Sequence, residues 1–361
     1  PDRLPESGPD LRTSIDLDLQ RFTASLFDST MQGGAVAIDP TTGAVLALHS
    51  APAFNPNDFI GGISAPKYRA LLTDPRKPLY NKALQGRYPP ASTFKLATAV
   101  IALQAGVVGL GDRMPEPCHG SYQFGSRAFR CWEKDGHGSL TLAQAIEKSC
   151  DVYFYQLGLK LGLNRFLSGG MALALSRATG IDLPDENAPG WPEATSYFDR
   201  RYGRGKWTNA VTLNLAIGQG ENDQTVLSMA RFYTALATDG NAVRPSIVPR
   251  AVERTKLFDL TPDQLAGLRE ALHGVVSTRG TAASAAIKGV EVAGKTGTSQ
   301  NPHGRDHGWF VGFAPKDDPK IVVAVLVEFG EHGYIAARIA TKMMERYLKT
   351  TVIQPVNVTG G

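Results

Sequence analysis

Lys320-Ile-Val-Val-Ala-Val-Leu-Val-Glu328 is an apolar run of strand length, and its place near the end of a chain whose middle is helical decides the fold. Two segments of strand character precede it, Val290-Glu-Val-Ala-Gly294 and Trp309-Phe-Val-Gly-Phe-Ala314, and an Ala-rich amphipathic stretch follows from Ile335 to Lys349. At the other end of the chain, Gly34-Ala-Val-Ala-Ile-Asp39, the turn Pro40-Thr-Thr-Gly43 and Ala44-Val-Leu-Ala-Leu-His49 read as an antiparallel hairpin. From about Phe54 to Gly280 the pattern is mainly helical: Thr93–Ala105, Leu142–Lys148, Val152–Leu161, Val226–Thr238 and Pro262–Val276. Thr141-Leu-Ala-Gln144 and Thr261-Pro-Asp-Gln264 read as capping boxes, the Thr oxygen serving the third helical N–H and the Gln reaching back. Strands at both ends around a helical middle predict an α/β (α+β) domain. Its sheet draws on 33–50 and 290–330, a helical subdomain spans about 86–285, and clefts lie at the seam. The first helix starts near Asp16, the domain covers 14–350, residues 1–13 with their prolines read as a linker, and 351–361 read as a tail.

The composition agrees. Of 361 residues, 42% are hydrophobic and 20% charged, which excludes disorder and coiled coil; the 38 Gly and 23 Pro fall below the roughly 25–30% of low-complexity chains. The net charge of +4 is spread along the chain without the basic stripe that a nucleic-acid partner requires, so solubility is its reading. The longest apolar stretch, Leu96 to Leu110, is interrupted by Thr98, Gln104 and Gly106 and is shorter than the ~20 residues that cross a bilayer, so it reads as a buried helix. With neither an initiator Met nor a leader, the chain fits either a cytosolic fragment or an ectodomain separated from its anchor.

Three short motifs carry chemistry. In Tyr88-Pro-Pro-Ala-Ser-Thr-Phe-Lys-Leu-Ala-Thr-Ala-Val100, Ser92 and Lys95 lie three apart in the first turn of a helix, which sets a hydroxyl beside a proton acceptor. A second Ser-x-x-Lys, Ser64 and Lys67, precedes Ala65-Pro66 at a helix start, where the Ser64 hydroxyl is expected to serve as an N-cap. Ser149-Cys150-Asp151 lies between two helices, at a junction able to aim side chains into a cleft. Ser14-Ile-Asp16 and Ser299-Gln-Asn301 match the same template and read as a cap or a turn. Lys295-Thr-Gly-Thr298 follows an apolar run, so that a strand carries a cation and two hydroxyls, with Gly297 leaving room for a close backbone.

In this order the trio resembles the penicillin-binding protein and serine β-lactamase superfamily, whose motifs are Ser-x-x-Lys, a Ser-Asp-Asn type and Lys-Thr-Gly. The resemblance runs from about Asp10 to Lys349, with Ala216-Ile-Gly-Gln-Gly220, Gly280-Thr-Ala282 and Asp306-His-Gly-Trp-Phe-Val-Gly-Phe-Ala-Pro315 as further landmarks. Tyr88-Pro-Pro90, the Ser-x-Asp variant, Phe129-Arg-Cys-Trp132 and Gly136-His-Gly138 are most similar to the penicillin-binding protein 2 branch, the class B transpeptidases of rod elongation. The resemblance implies an antiparallel sheet flanked by helices with an all-helical subdomain. It implies D,D-transpeptidation of peptidoglycan stem peptides through a serine acyl-enzyme, no cofactor for that chemistry, and covalent inhibition by β-lactams. Ser92 would be the nucleophile, Lys95 the base when neutral, and Ser149 a proton relay. The backbone N–H groups of Ser92 and Thr298 would form the oxyanion hole, and Lys295, Thr296 and Thr298 would hold the substrate carboxylate. By analogy the setting is the periplasmic face of the inner membrane beside a RodA-type glycosyltransferase and MreC, with an N-terminal anchor and pedestal preceding the domain. A D,D-carboxypeptidase, a β-lactamase and an acylable sensor share parts of this reading. Asp185-Glu-Asn187 does not match the Glu-x-x-x-Asn loop that activates water in β-lactamases, so slow deacylation is expected.

Asp151 is a departure from the Asn of the motif. A carboxylate about 4 Å from Lys95 would favour the ammonium by about 4 kcal/mol at an effective dielectric of 20, against its use as a base. The expectation is that Asp151 is protonated or turned toward another donor, leaving Ser149 as the closer partner of Lys95. The three cysteines, Cys118, Cys131 and Cys150, share one segment with His119, Asp135 and His137. Cys118, Cys131, His137 and Cys150 would complete a closed tetrahedral zinc site behind the Ser149–Asp151 corner, and some relatives in this branch carry zinc beside this motif. The alternatives are a Cys118–Cys131 disulfide with Cys150 a buried thiol, or three unpaired thiols. Of the remaining candidates, Trp309, Phe310 and Phe313 read as core. His303, Arg305 and His307 read as a solvated loop within reach of substrate, and Glu221 and Asp223 as caps of the next helix.

Overall fold

The computed structural model describes residues 8–277, 280–302 and 304–352. Five antiparallel strands form the sheet, in the order Val45–Ala51, Gln32–Ile38, Ile321–Glu328, His307–Ala314 and Ala293–Ser299. The run that opened the sequence reading is thus the central strand, and seven of its eight residues are buried because both faces of the sheet are covered. Val322, Ala324 and Leu326 face one core with the helix Val226–Ala237, while Val323, Val325 and Val327 face a second core with Ala336, Ala340 and Met344 of the helix Gly333–Val352. Alternate residues of one strand feed the two cores, and both ends of the chain are thereby tied together.

The residues between the hairpin and the C-terminal strands are mainly helical. Both Thr capping boxes form, at Thr141 and Thr261, opening the helices Leu142–Glu147 and Pro262–Val276. Pro262–Val276 packs on the edge strand Ala293–Ser299, and the 3-10 turn Ala91–Phe94 packs there too, ahead of the fully buried helix Lys95–Gln104 up to Leu103. The helix Asp151–Leu161 lies against Lys95–Gln104. Among the described residues no helix is long and apolar enough to cross a membrane.

Several local expectations differ from what forms. Strand pairing begins at Ala293 instead of Val290, which bridges to Ile287, so the whole Lys295–Thr298 motif lies inside the strand. His307 is not in a solvated loop: it opens a strand, pairs with Ser299 and is half-buried beside Tyr88. Arg305 is exposed and faces Glu331 at 3.5 Å, and His303 lies outside the described residues. Ser64 sits at the N-cap position of Ala65–Thr73 but its side chain makes no capping bond, and Lys67 pairs instead with Asp58 at 2.6 Å. The helix after Asp223 is capped by Thr225, which exchanges bonds with Ser228; Glu221 accepts from the Tyr202 hydroxyl, and the Asp223 backbone pairs with Gly190. Trp309, Phe310 and Phe313 are fully buried.

Candidate active site

Ser92 stands in the 3-10 turn Ala91–Phe94, one turn ahead of the α-helix in which the sequence placed it. Pro90 donates no backbone hydrogen bond, and Ala91 takes φ +50°, a left-handed conformation that interrupts the helix before it begins. Ala91 N donates to Gly218 O at 2.8 Å, and Gly218, at φ +74°, approaches so closely that a methyl group there would overlap Ala91 O. The landmark Gly218 therefore holds the serine turn in place.

Lys95 follows at the start of the α-helix and is 0% exposed. Its ammonium nitrogen donates to Ser149 O at 2.8 Å, to Ser149 Oγ at 3.2 Å and to Asp151 Oδ1 at 2.8 Å. Ser149 presents both oxygens because its backbone is left-handed, at φ +55°. Asp151 does not turn away to leave Ser149 as the closer partner: Ser149 O and Asp151 Oδ1 stand equally near the Lys95 amine. One carboxylate oxygen faces Lys95, and the other accepts from Trp132 N at 3.1 Å. The helix Asp151–Leu161 begins at this residue, so its carboxylate is fixed by the same turn that fixes Ser149. Burial raises the Asp151 carboxyl above its usual range, while the Lys95 charge opposes that rise.

The edge strand completes the site. An ideal Cβ on Gly297 would lie 3.1 Å from Pro90 O and 3.3 Å from Ser92 N, so the missing side chain lets the strand lie against the serine backbone. Lys295, on the same strand face, is 0% exposed and donates to Thr296 O at 3.2 Å. Burial pushes its amine well below the ordinary lysine range, nearby Lys95 pushes the same way, and Asp151 opposes both. Thr296 Oγ1 shares a hydrogen bond with Thr281 Oγ1 at 3.0 Å, and Gln219 Nε2 donates to Thr298 O at 3.4 Å.

Ser92, Ser149, Asp151, Thr296, Gly297 and Thr298 line one cavity of about 530 Å³. Arg130, Trp132, Tyr155, Asp306 and Tyr334 also line it, and none of these was a sequence candidate for the site. The arrangement offers a hydroxyl, a buried amine with a second hydroxyl beside it, and a strand bearing another amine and two hydroxyls, a set of groups suited to acyl transfer through serine.

Behind the Ser149–Asp151 turn, Cys118, Cys131, His137 and Cys150 gather with their donor atoms all within 4.8 Å of one another. His137 Nδ1 is 3.7 Å from Cys118 Sγ and 3.5 Å from Cys131 Sγ. His119 and Asp135 are exposed and outside the group. All three thiols are buried and free, so the alternative of a Cys118–Cys131 disulfide is not what forms. Hydrogen bonding from the Cys150 thiol pulls Cys131 far below the usual thiol range, against the opposing effect of burial and with His137 adding to the fall. Its sulfur and burial in turn hold Cys150 up. Three sulfurs and one imidazole at this separation fit the donor set of a tetrahedral metal ion, whose sulfur ligands stand about 2.3 Å from a zinc.

A family model described as the penicillin binding protein transpeptidase domain matches residues 33–345. The peptidoglycan D,D-transpeptidase MrdA of Acinetobacter baumannii is 35% identical over 99% of this chain and 57% of its own length, so the chain spans little more than half of that relative. The crystal structure of Pseudomonas aeruginosa PBP2 in complex with WCK 5153 is similar with a TM-score of 0.87 and 34% identity, covering 98% of this chain and 80% of that one. A complex between PBP2 and MreC from Helicobacter pylori is similar with a TM-score of 0.86 and 30% identity, covering 95% of this chain and 64% of that one.

The state of the cysteines has a direct readout. Protein unfolded without reductant and with a chelator present should titrate three thiols per chain with a chromogenic disulfide reagent; one thiol per chain would restore the disulfide.

Proposed function

The chain belongs to the penicillin-binding protein transpeptidase family, and from that premise we propose that it is a peptidoglycan D,D-transpeptidase that cross-links stem peptides through an acyl-enzyme on Ser92. The observation that carries this reading is the contact of the buried Lys95 amine with Ser149 and Asp151, at the cavity shared by Ser92 and the strand Thr296–Thr298. Ser92 Oγ attacks the carbonyl carbon of the D-Ala-D-Ala bond while Lys95, having lost its own proton, takes the serine proton. The proton passes through the Ser149 hydroxyl to the leaving D-Ala amine, and the amine of a neighbouring stem then attacks the acyl-enzyme and frees Ser92. The N–H groups of Ser92 and Thr298 stabilise the oxyanion, a role worth about 3–4 kcal/mol per donor. The close approach of Gly297 to Ser92 N supports that pairing.

Lys295, Thr296 and Thr298 take the terminal carboxylate of the substrate. Burial disfavours the charged form of the Lys295 amine, and an incoming anion would favour it. The strand Ala293–Ser299 is a sheet edge, paired only with His307–Ala314, and an extended peptide can align along such an edge. Asp151 and Asp306 are the carboxylates lining the cavity; Asp151 is held by Lys95 and Trp132 N, and one Asp306 oxygen accepts from Asn301 N. Neither stands as a free base for water, which favours a long-lived adduct over hydrolysis. β-Lactams, as mimics of the dipeptide, would trap Ser92. The full protein would act at the periplasmic face of the inner membrane with MreC and a RodA-type glycosyltransferase, a setting supported by the likeness to the PBP2 that forms a complex with MreC.

The Cys118, Cys131, His137 and Cys150 donors would hold a structural zinc ion, which supplies a cross-link and no chemistry to the acyl transfer. Elemental analysis of protein purified without chelator should give about one zinc per chain, lost on Cys118→Ser.

Exposure to a penicillin should add the mass of the drug to the wild-type chain, persisting for many minutes, and leave Ser92→Ala unlabelled. Rapid release of the opened drug would indicate a β-lactamase, and no adduct a non-catalytic domain. Followed against pH, the acylation profile of Asp151→Asn should differ from that of wild type, because the carboxylate paired with the Lys95 amine is gone. Superimposable profiles would remove the Asp151 charge from the mechanism.

A further inference from the structure

Trp132 lies beside the Cys/His cluster and hydrogen-bonds to the two residues that hold the Lys95 amine. On one side it follows Cys131, and its ring packs edge-on against His137 with centroids 5.3 Å apart. The preceding residue is held as well, since the Tyr155 hydroxyl donates to Arg130 O at 2.9 Å. On the other side, Trp132 N donates to Asp151 Oδ2 at 3.1 Å, and the indole Nε1–H is shared between Lys148 O and Ser149 O, each at 3.1 Å. Asp151 and Ser149 are the two residues that hold Lys95 Nζ. Each is therefore bonded both by Lys95, twice at Ser149 and once at Asp151, and by Trp132. The indole also spans a backbone conformation that needs support, for Ser149 is a non-glycine residue at φ +55° with its carbonyl turned toward both donors.

We infer that Trp132 is a positioning residue for the acylation step, and that it is the route by which the Cys118–Cys131–His137–Cys150 cluster sets the orientation of Ser149 and Asp151 around Lys95. Closing the cluster fixes Cys131 and His137, which fixes the indole between them and the turn. The indole N–H then holds the Ser149 carbonyl, and through it the Ser149 hydroxyl, at the distance from Lys95 that proton relay requires. Opening the cluster releases the indole, and the turn keeps Lys95 as a donor while losing the indole N–H. The inference rests on the acyl-transfer chemistry proposed above.

A second role is available to a residue that is 53% exposed and lines the cavity: it could simply bind the ligand. The two roles separate kinetically. Stopped-flow acylation by a fluorescent penicillin, measured to saturation, gives a rate constant for the chemical step and a half-saturating concentration. Trp132→Phe keeps an aromatic ring and removes the indole donor. It should lower the rate constant at saturation by tenfold or more while the half-saturating concentration changes less than threefold. Thermal unfolding should be within a few degrees of wild type, because the substituted side chain is on the surface. His137→Ala should lower the same rate constant, and Trp132→Phe/His137→Ala should be no slower than the slower single variant, since both act through one support. Chelator treatment of the wild type and of Trp132→Phe provides the same comparison without a cluster substitution, and should slow only the former.

The inference is overturned if Trp132→Phe reacts with the wild-type rate constant, if its defect lies in the half-saturating concentration alone, or if the two losses multiply. Absence of acylation in the wild type would instead overturn the proposed function, so the two failures are told apart by the control.

Discussion

Burying an amine is the constraint on which this site depends. Lys95 is fully removed from solvent, and an unpaired charge there would cost several kcal/mol. It is tolerable because three oxygens converge on it, and all three come from residues 149 and 151. The local structure around that turn follows from this demand. Ser149 adopts a left-handed backbone to present two oxygens at once, Cys150 points inward to the sulfur cluster, and Asp151 starts a helix whose first carboxylate is aimed at the amine. The partner of the Lys95 amine is thus a single turn, backed by a cluster of side chains.

The sheet supplies the second half of the arrangement. Its order brings strands from the two ends of the chain together, and leaves Ala293–Ser299 at an edge next to the serine turn. Three small residues make the approach possible: Gly218 beneath Ala91, Ala91 itself in a left-handed conformation, and Gly297 against Ser92 N. Side chains at these positions would hold the strand and the turn apart. The cavity is therefore a product of the seam between sheet and helices, with the Ser92 and Ser149 hydroxyls from one side and the strand Ala293–Ser299 from the other.

The parts of this that were legible in the sequence are those fixed by local patterning. The two Thr-x-x-Gln capping boxes, the apolar strands near each terminus and the helix Pro262–Val276 follow from residues that contact one another within a turn or two. The short motifs around Ser92, Ser149 and Lys295 were legible because their residue types serve one chemistry. The helix Leu163–Ala172 escaped, for it contains Gly169 and Gly170, which disfavour helix locally; Ile101 and Trp191 pack so close to them that side chains would overlap. The orientation of Asp151 escaped for a related reason. Its second oxygen is held by the backbone of Trp132, a donor that no motif announces, and Trp132 is in place through contacts with His137 and with the Ser149 turn. Glu221 and Asp223 resembled caps because caps are acidic or hydroxylic, yet Thr225, two residues closer, had the better geometry.

The charges around the cavity then argue for one further step. Lys95, Lys295 and Asp151 form a buried set with two amines and one carboxylate, so the carboxylate can balance only one ammonium. Lys295 is the group whose charged form is disfavoured, partly by burial and partly by Lys95. That coupling is reciprocal, because the interaction between two charges belongs to the pair. A carboxylate bound beside Lys295 would favour its ammonium, so the charge of the substrate and the charge of this lysine are coupled. On the proposed reading, the anion that marks a correct substrate thus brings the second negative charge that a set of two amines and one carboxylate lacks.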